Sequence, residues 1–225
     1  MFKLNECLVL HLNFITLIMS DFNQKQIEIL QVAEQLFAEK GFDGTSIREI
    51  SKIAKINIAM VSYYFGSKEK LLESLILFRT SDLKMKLDNL YDEKVSPLQK
   101  IEKFIEFYIE KVNRNKNMYQ ILNFENSTKK RVLDSAVFTA IKKGNLQTLK
   151  NIVKEGQDAL IFKKNINIEL ITPTILGTYF YFNMNKPFFG EIFNLKTDSD
   201  FNDYVKFHLT KHIQQTIKAL LIYDK

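Results

Sequence analysis

Turn-forming residues are scarce in this sequence. Its 225 residues include 7 Gly, 3 Pro, 3 His, 1 Cys and no Trp. So little glycine and proline leaves too few turns for a fold of many short strands. The single cysteine, Cys7, excludes an intramolecular disulfide and suits a reducing cytoplasm. There is no Gly-rich phosphate loop, no G-x-S-x-G and no cysteine pair, so an enzyme is not expected. His208 and His212 stand four apart on one helix face, a spacing that suits a metal. Leu209 rather than Glu follows His208, and no third ligand is near in sequence. Burial or interface packing is the reading, and neither a metal nor a cofactor is expected. The apolar run ahead of Met19 is short and interrupted by His11 and Asn13, too polar to span a bilayer. Residues 1–20 therefore read as an extension or disordered tail, with Met19-Ser20-Asp21 resembling a natural start. No membrane partner is expected.

What is present is apolar and helical in period. Hydrophobic residues make up 46% and charged residues 26%, with 19 Phe and 9 Tyr. Long stretches repeat at 3.6 residues, which predicts an all-α protein. The net charge is +6, which suggests an anionic partner. Its distribution weakens that inference. Residues 21–80 hold eight basic and eight acidic side chains, so the excess lies after residue 80. Any nucleic-acid argument must rest on placed residues.

The spacing predicts a helix over 23–40, stopped by Gly41 and followed by an Asp43-Gly44 turn. Ser46 and Glu49 form an S-x-x-E capping box for a second helix, whose buried stripe is Ile47, Ile50, Ile53 and Ala54. After a short turn at Lys55-Ile56, Asn57 caps a third helix over 58–65, ended by Gly66. Ser67 caps a long fourth helix over 68–91. Pro97 opens a fifth, on which Ile101, Phe104, Ile105, Tyr108, Ile109 and Val112 form one stripe. Further helices are expected over 118–125, 130–162, 170–184 and 200–222. Gly144 and Gly156 are weak points of the 130–162 helix, and Asn185-Lys186-Pro187 breaks the chain after 184. The 170–184 segment is apolar nearly all round, so it is buried or lies in an interface.

Two short helices joined by a tight turn and followed by a long helix make a helix-turn-helix unit. The second short helix presents its N-terminal residues to the major groove. At this point the sequence resembles the TetR family of regulators. The residues that carry the resemblance are Ile29-Leu30, Ala33, Leu36-Phe37, Gly41-Phe42, Thr45-Ser46-Ile47, Glu49-Ile50, Ala54 and the run Val61 to Leu71, with its Tyr-Tyr-Phe-Gly-Ser-Lys-Glu-Lys-Leu ending.

The resemblance implies a three-helix DNA-binding domain over 21–80, joined by a long helix to a helical ligand-binding and dimerisation domain over 81–225. It implies a ligand-responsive repressor, a homodimer that binds a palindromic double-stranded operator. Thr45, Ser46, Tyr63, Tyr64 and Lys68 fall where the family meets phosphates, and Lys68 opens a helix whose N–H groups favour an anion. Base reading falls to Arg48, Asn57, Ile58, Ala59, Met60 and Ser62. Arg48 suits guanine, while Ile58 or Met60 suits a thymine methyl. Lys55 stands at the usual turn glycine, Ala59 at another usual glycine, Ser62 at a usual tyrosine and Ile58 at a position often polar. A small apolar or aromatic effector is expected, with Phe104, Phe107, Tyr108, Tyr119, Phe124, Phe138 and Tyr179 as candidate contacts. Helices 170–184 and 200–222 are candidates for a four-helix dimer bundle.

Overall fold

The computed structural model describes residues 22–128 and 136–222, and among these there is no strand. The expectations for residues 1–20 and for the start of the 130–162 helix lie outside the described residues. The helices are α1 (Gln24–Gly44), α2 (Ile47–Ile53), α3 (Ile58–Phe65), α4 (Lys68–Asp92), α5 (Pro97–Arg114), α6 (Lys116–Thr128) and α7 (Ala136–Asp158). A 3-10 turn (Ile168–Leu170) leads into α8 (Ile171–Met184). Then come α9 (Lys186–Phe193), α10 (Asp198–Tyr204), a π-helical turn (Val205–Leu209) and α11 (Thr210–Leu221). No helix among the described residues is long and apolar enough to cross a membrane.

The chain divides into two compact units. One takes residues up to 82 together with 115–142, and the other takes 83–114 together with 143–225. In the first, Asn23 and Gln26 form a reciprocal capping box at the start of α1. Gly41 takes φ 72° and ψ 168°, so regular helix ends at Lys40 and a single further turn follows. Ile29, Leu30, Ala33, Leu36, Phe37 and Phe42 are buried with Ile50, Val61, Phe65, Leu71, Leu72, Leu75 and Ile76. Met118, Ile121 and Leu122 of α6 complete this core. The DNA-binding fold is thus closed by a helix that comes about fifty residues after α3 in the chain. Glu34 is buried on α1 and accepts from Arg79 Nε of α4 at 2.9 Å, which satisfies a charge that burial would otherwise penalise.

In the second unit the predicted α5 stripe is buried throughout: Ile101, Phe104, Ile105, Tyr108, Ile109 and Val112. It packs against α11, which contributes Ile213, Ile217 and Leu221, and against α8, which contributes Ile175, Tyr179 and Phe182. Lys100 is buried here, and donates to Tyr91 O at 2.8 Å and to both Glu155 oxygens at 2.8 and 3.1 Å.

Several expectations need correction. Ile53 is half exposed, because α2 ends there and Ile50 alone sits at the centre of its inner face. The Ser46–Glu49 box is only half made. Ser46 Oγ accepts from Glu49 N at 3.1 Å, but the Glu49 carboxylate turns to Lys40 instead. α7 ends at Asp158 rather than 162. Leu160 adopts φ 58°, and the N–H groups of Ile161 and Phe162 return to Gly156 O. The Phe162 ring then lies against Gly156, where a Cβ would come within 2.1 Å. The stretch after Asn185 forms α9 rather than only a break, with Pro187 in its first turn, where no N–H is needed. The last helix is interrupted by the π turn, in which Thr210 Oγ1 donates to Val205 O at 2.7 Å.

Candidate nucleic-acid interface

α2 and α3 are held at their corner by three local devices. Lys55 makes the turn with φ 54°, the left-handed conformation expected where a glycine is usual. Ile56 N donates back to Ser51 O at 3.0 Å. Asn57 Oδ1 then accepts from Ala59 N at 2.9 Å and starts α3. Val61 and Phe65 pin α3 to the core, and Tyr64 packs against it half-buried. The opposite face carries Ile58, Ala59, Ser62 and Tyr63, all exposed, with Met60 at its edge. Tyr63 is 82% exposed and leans edge-on against Tyr64 at 5.4 Å.

The charge around this face is less neutral than the sum suggests. Of the eight basic residues between 21 and 80, four are ion-paired: Lys25 with Glu28, Lys40 with Glu49, Lys70 with Glu73 and Arg79 with Glu34. Lys68 is bonded to backbone. The three that remain are Arg48, Lys52 and Lys55, all exposed and all on α2 or the turn into α3. Intramolecular pairing therefore leaves unpaired positive charge beside the recognition helix. Lys52 and Lys55 were not singled out as contacts from the sequence. Counting charges hides them, because the i,i+3 partner Glu49 offers Lys52 on paper is taken by Lys40.

Two expected phosphate contacts have other work. Thr45 is 1% exposed, and its hydroxyl donates to Gly41 O at 2.9 Å and Leu36 O at 3.1 Å. Burial excludes a phosphate contact from that side chain. Lys68 Nζ donates to Phe42 O at 2.9 Å and Thr45 O at 2.8 Å, and lies 4.3 Å from the centre of the Phe42 ring. Its position at the head of α4 is as expected, but its ammonium ties down the loop between α1 and α2. Ser46 is exposed at the start of α2.

The comparisons with known proteins agree with this geometry. The profile for bacterial regulatory proteins of the tetR family matches residues 29–75, and that for the Tetracyclin repressor-like C-terminal domain matches residues 97–217. The chain belongs to the TetR family. The HTH-type transcriptional repressor NicS of Pseudomonas putida is 29% identical over 169 residues, which are 70% of this chain and 75% of that protein. The transcriptional regulator FadR of Bacillus subtilis, solved with stearoyl-CoA, superposes with a TM-score of 0.64 at 20% identity, covering 86% of this chain and 97% of that one. AibR, solved with isovaleryl coenzyme A and operator DNA, gives 0.62 at 16% identity over 88% and 98%. This TetR-family chain is a DNA-binding transcriptional regulator and not an enzyme.

The aromatic residues expected at an effector site are divided between the two units. Phe104 and Tyr108 are buried in the second unit, 4.8 Å apart, and Tyr179 is buried there with its hydroxyl donated to Asn113 Oδ1 at 3.0 Å. Tyr119 and Phe124 belong to the first unit. Burial pushes the Tyr119 hydroxyl up to about 12, and the Phe124 ring is half exposed against Gly41. The side chain of Phe138 lies outside what the structure describes. Phe107 lines an open groove of about 590 Å³ in the second unit, with Glu106, Glu110, Asn113, Arg114, Asp203 and Lys206 among its walls. His208 and His212 are both exposed, which corrects burial within the chain but not the interface alternative; His208 stacks on Tyr204 at 5.0 Å. Among the described residues no group of three or more His, Cys, Asp or Glu is placed to hold a metal.

Proposed function

We propose that this regulator is a cytoplasmic, effector-responsive repressor that binds a palindromic operator as a homodimer. The observation that carries the reading is the set of three unpaired cations, Arg48, Lys52 and Lys55, beside an exposed recognition helix. Lys52, Lys55, Ser46, Tyr63 and Tyr64 meet phosphates and fix register, while Asn57, Ile58, Ala59, Met60, Ser62 and Arg48 face base edges. A second copy presents the same face about 34 Å away, one turn of DNA. The exposed apolar side of residues 170–193, with Leu170, Tyr181, Met184, Phe188 and Ile192, is the surface that copy covers.

The effector we propose is an acyl-CoA thioester, the ligand class held by the FadR and AibR structures. Its place is the groove beside Phe107, whose volume falls within the usual range for small-molecule sites. Arg114 and Lys206 are its two cations, set among the carboxylates of Glu106, Glu110 and Asp203, and the Tyr179–Asn113 bond connects the groove to the aromatic core behind it. The effector acts by favouring a state whose recognition helices no longer match operator spacing. The test is a genomic binding selection with the purified full-length chain, followed by titration of the selected duplex with acyl-CoAs of graded length. One palindrome, released by some chain lengths, is expected. No selected site would sink the operator reading. A selected site that every acyl-CoA leaves bound would sink the effector class.

A further inference from the structure

We infer that the operator half-site is read chiefly through thymine methyl groups, so that its centre is A·T-rich. The inference rests on the regulator reading above and deepens it.

The argument is an inventory of what α3 offers the major groove. Residues 58–65 contain no charged side chain. Bidentate recognition of guanine needs two donors on one side chain, normally Arg or Lys, and α3 has neither. Bidentate recognition of adenine needs the carbonyl and amide of Asn or Gln together. Asn57 is the one such residue at this helix start, and its Oδ1 already accepts from Ala59 N at 2.9 Å. That leaves its amide as a donor only. A carboxylate to accept from cytosine is absent as well. What the exposed face does offer is apolar: Ile58, 47% exposed, stands in the first turn with Ala59, and Met60 lies at the edge. Val61 and Phe65 fix the helix, so the face cannot roll to bring other side chains outward.

Of the base edges in the major groove, only thymine presents a methyl for such a surface. Guanine would leave its two acceptors facing Ile58 or Ala59 without a donor, which is costly when water is excluded. Polarity is displaced to the flanks. Arg48, Lys52 and Lys55 are exposed outside α3 and favour phosphates or a base at the edge of the half-site. Ser62 remains on the face itself, where its hydroxyl donates and accepts without selecting one base, and the Tyr63 hydroxyl goes to phosphate.

The experiment replaces thymine by deoxyuridine, which deletes the methyl and leaves base pairing intact. The full-length dimer is titrated at fixed salt against its selected operator and against the same duplex with uracil at each half-site thymine in turn. Central thymines should each lose about fourfold in affinity, the worth of one buried methyl. Ile58→Ala should reduce the thymine preference at one position towards unity, and Ile58→Val should keep most of it. Ile58 is exposed, so neither change threatens folding, and the wild-type uracil series needs no variant at all. A selected half-site with G·C at its centre, or one indifferent to uracil, overturns this inference while leaving the regulator intact. No selected site at all overturns both.

Discussion

Lys68 and Lys55 show that two lysines of one small domain do different work. Lys68 has its ammonium on the Phe42 and Thr45 carbonyls, so it acts on the fold of the α1–α2 loop. Lys68→Met keeps the stem and removes the donors. It should cost about 1–3 kcal/mol of stability in urea denaturation, because Thr45 O loses its donor while Phe42 O keeps only the Thr45 N–H. The salt dependence of operator binding should stay near wild type. The Lys55 ammonium has no ion-pair partner among the described residues, and its backbone sits at φ 54°. Lys55→Gly should relieve roughly 1 kcal/mol of backbone strain. The same change should reduce the slope of log affinity against log salt by about one, as one lost phosphate contact does. Thermal melts and operator titrations on both variants separate the two roles.

At the scale of elements, helix ends matter more than helix interiors. Asn57→Ala removes the cap that starts the recognition helix and should cost about 1 kcal/mol. Because α3 has only eight residues, the loss should appear in operator affinity as well as in the melt. A second cap is sensitive to acid. Asp200 accepts from the backbone N–H groups of Thr197 and Lys196 at the start of α10, which holds its carboxyl below the usual carboxylate range. A folded value below the unfolded one means this cap contributes fully above the unfolded value. The contribution disappears as pH falls through the folded value. Carboxyl titration by NMR should place Asp200 below the other exposed aspartates, and Asp200→Asn should remove that acid transition. Gly156 is the element-scale counterpart in packing. Gly156→Ala would drive a methyl into the Phe162 ring and should cost about 1–3 kcal/mol.

For the whole molecule, the DNA-binding fold depends on a distant helix. Met118, Ile121 and Leu122 are buried in the core that also positions α2 and α3. Each such side chain contributes about 1.5–3 kcal/mol by burial. Together they are comparable with the net stability of a small domain. A fragment ending at residue 82 should therefore melt far below the full chain or fail to fold, as circular dichroism would show. Full-length Met184→Glu with Ile192→Glu should sediment as a monomer and lose operator affinity, since both residues are exposed on the apolar side of 170–193. A variant that stays dimeric would move the interface elsewhere.

The sequence by itself determined the all-helical class, most helix ends, the fixed stripe of α5 and the motif that marks a recognition helix. These are set by local chemistry: period, caps, and residues such as Gly41 and Gly66 that take positive φ. It did not reveal the π turn or α9, because neither rests on a strong local signal. Only the tertiary structure decided which charges remain available. Lys40 drew Glu49 away from its cap, Phe42 and Thr45 took Lys68, and Arg48, Lys52 and Lys55 were left together by α3. It also decided that Thr45 is interior and that α6 belongs to the core of the DNA-binding unit. Pairing and burial depend on neighbours brought together from far along the chain. A segment neutral by count can therefore face DNA with unpaired positive charge.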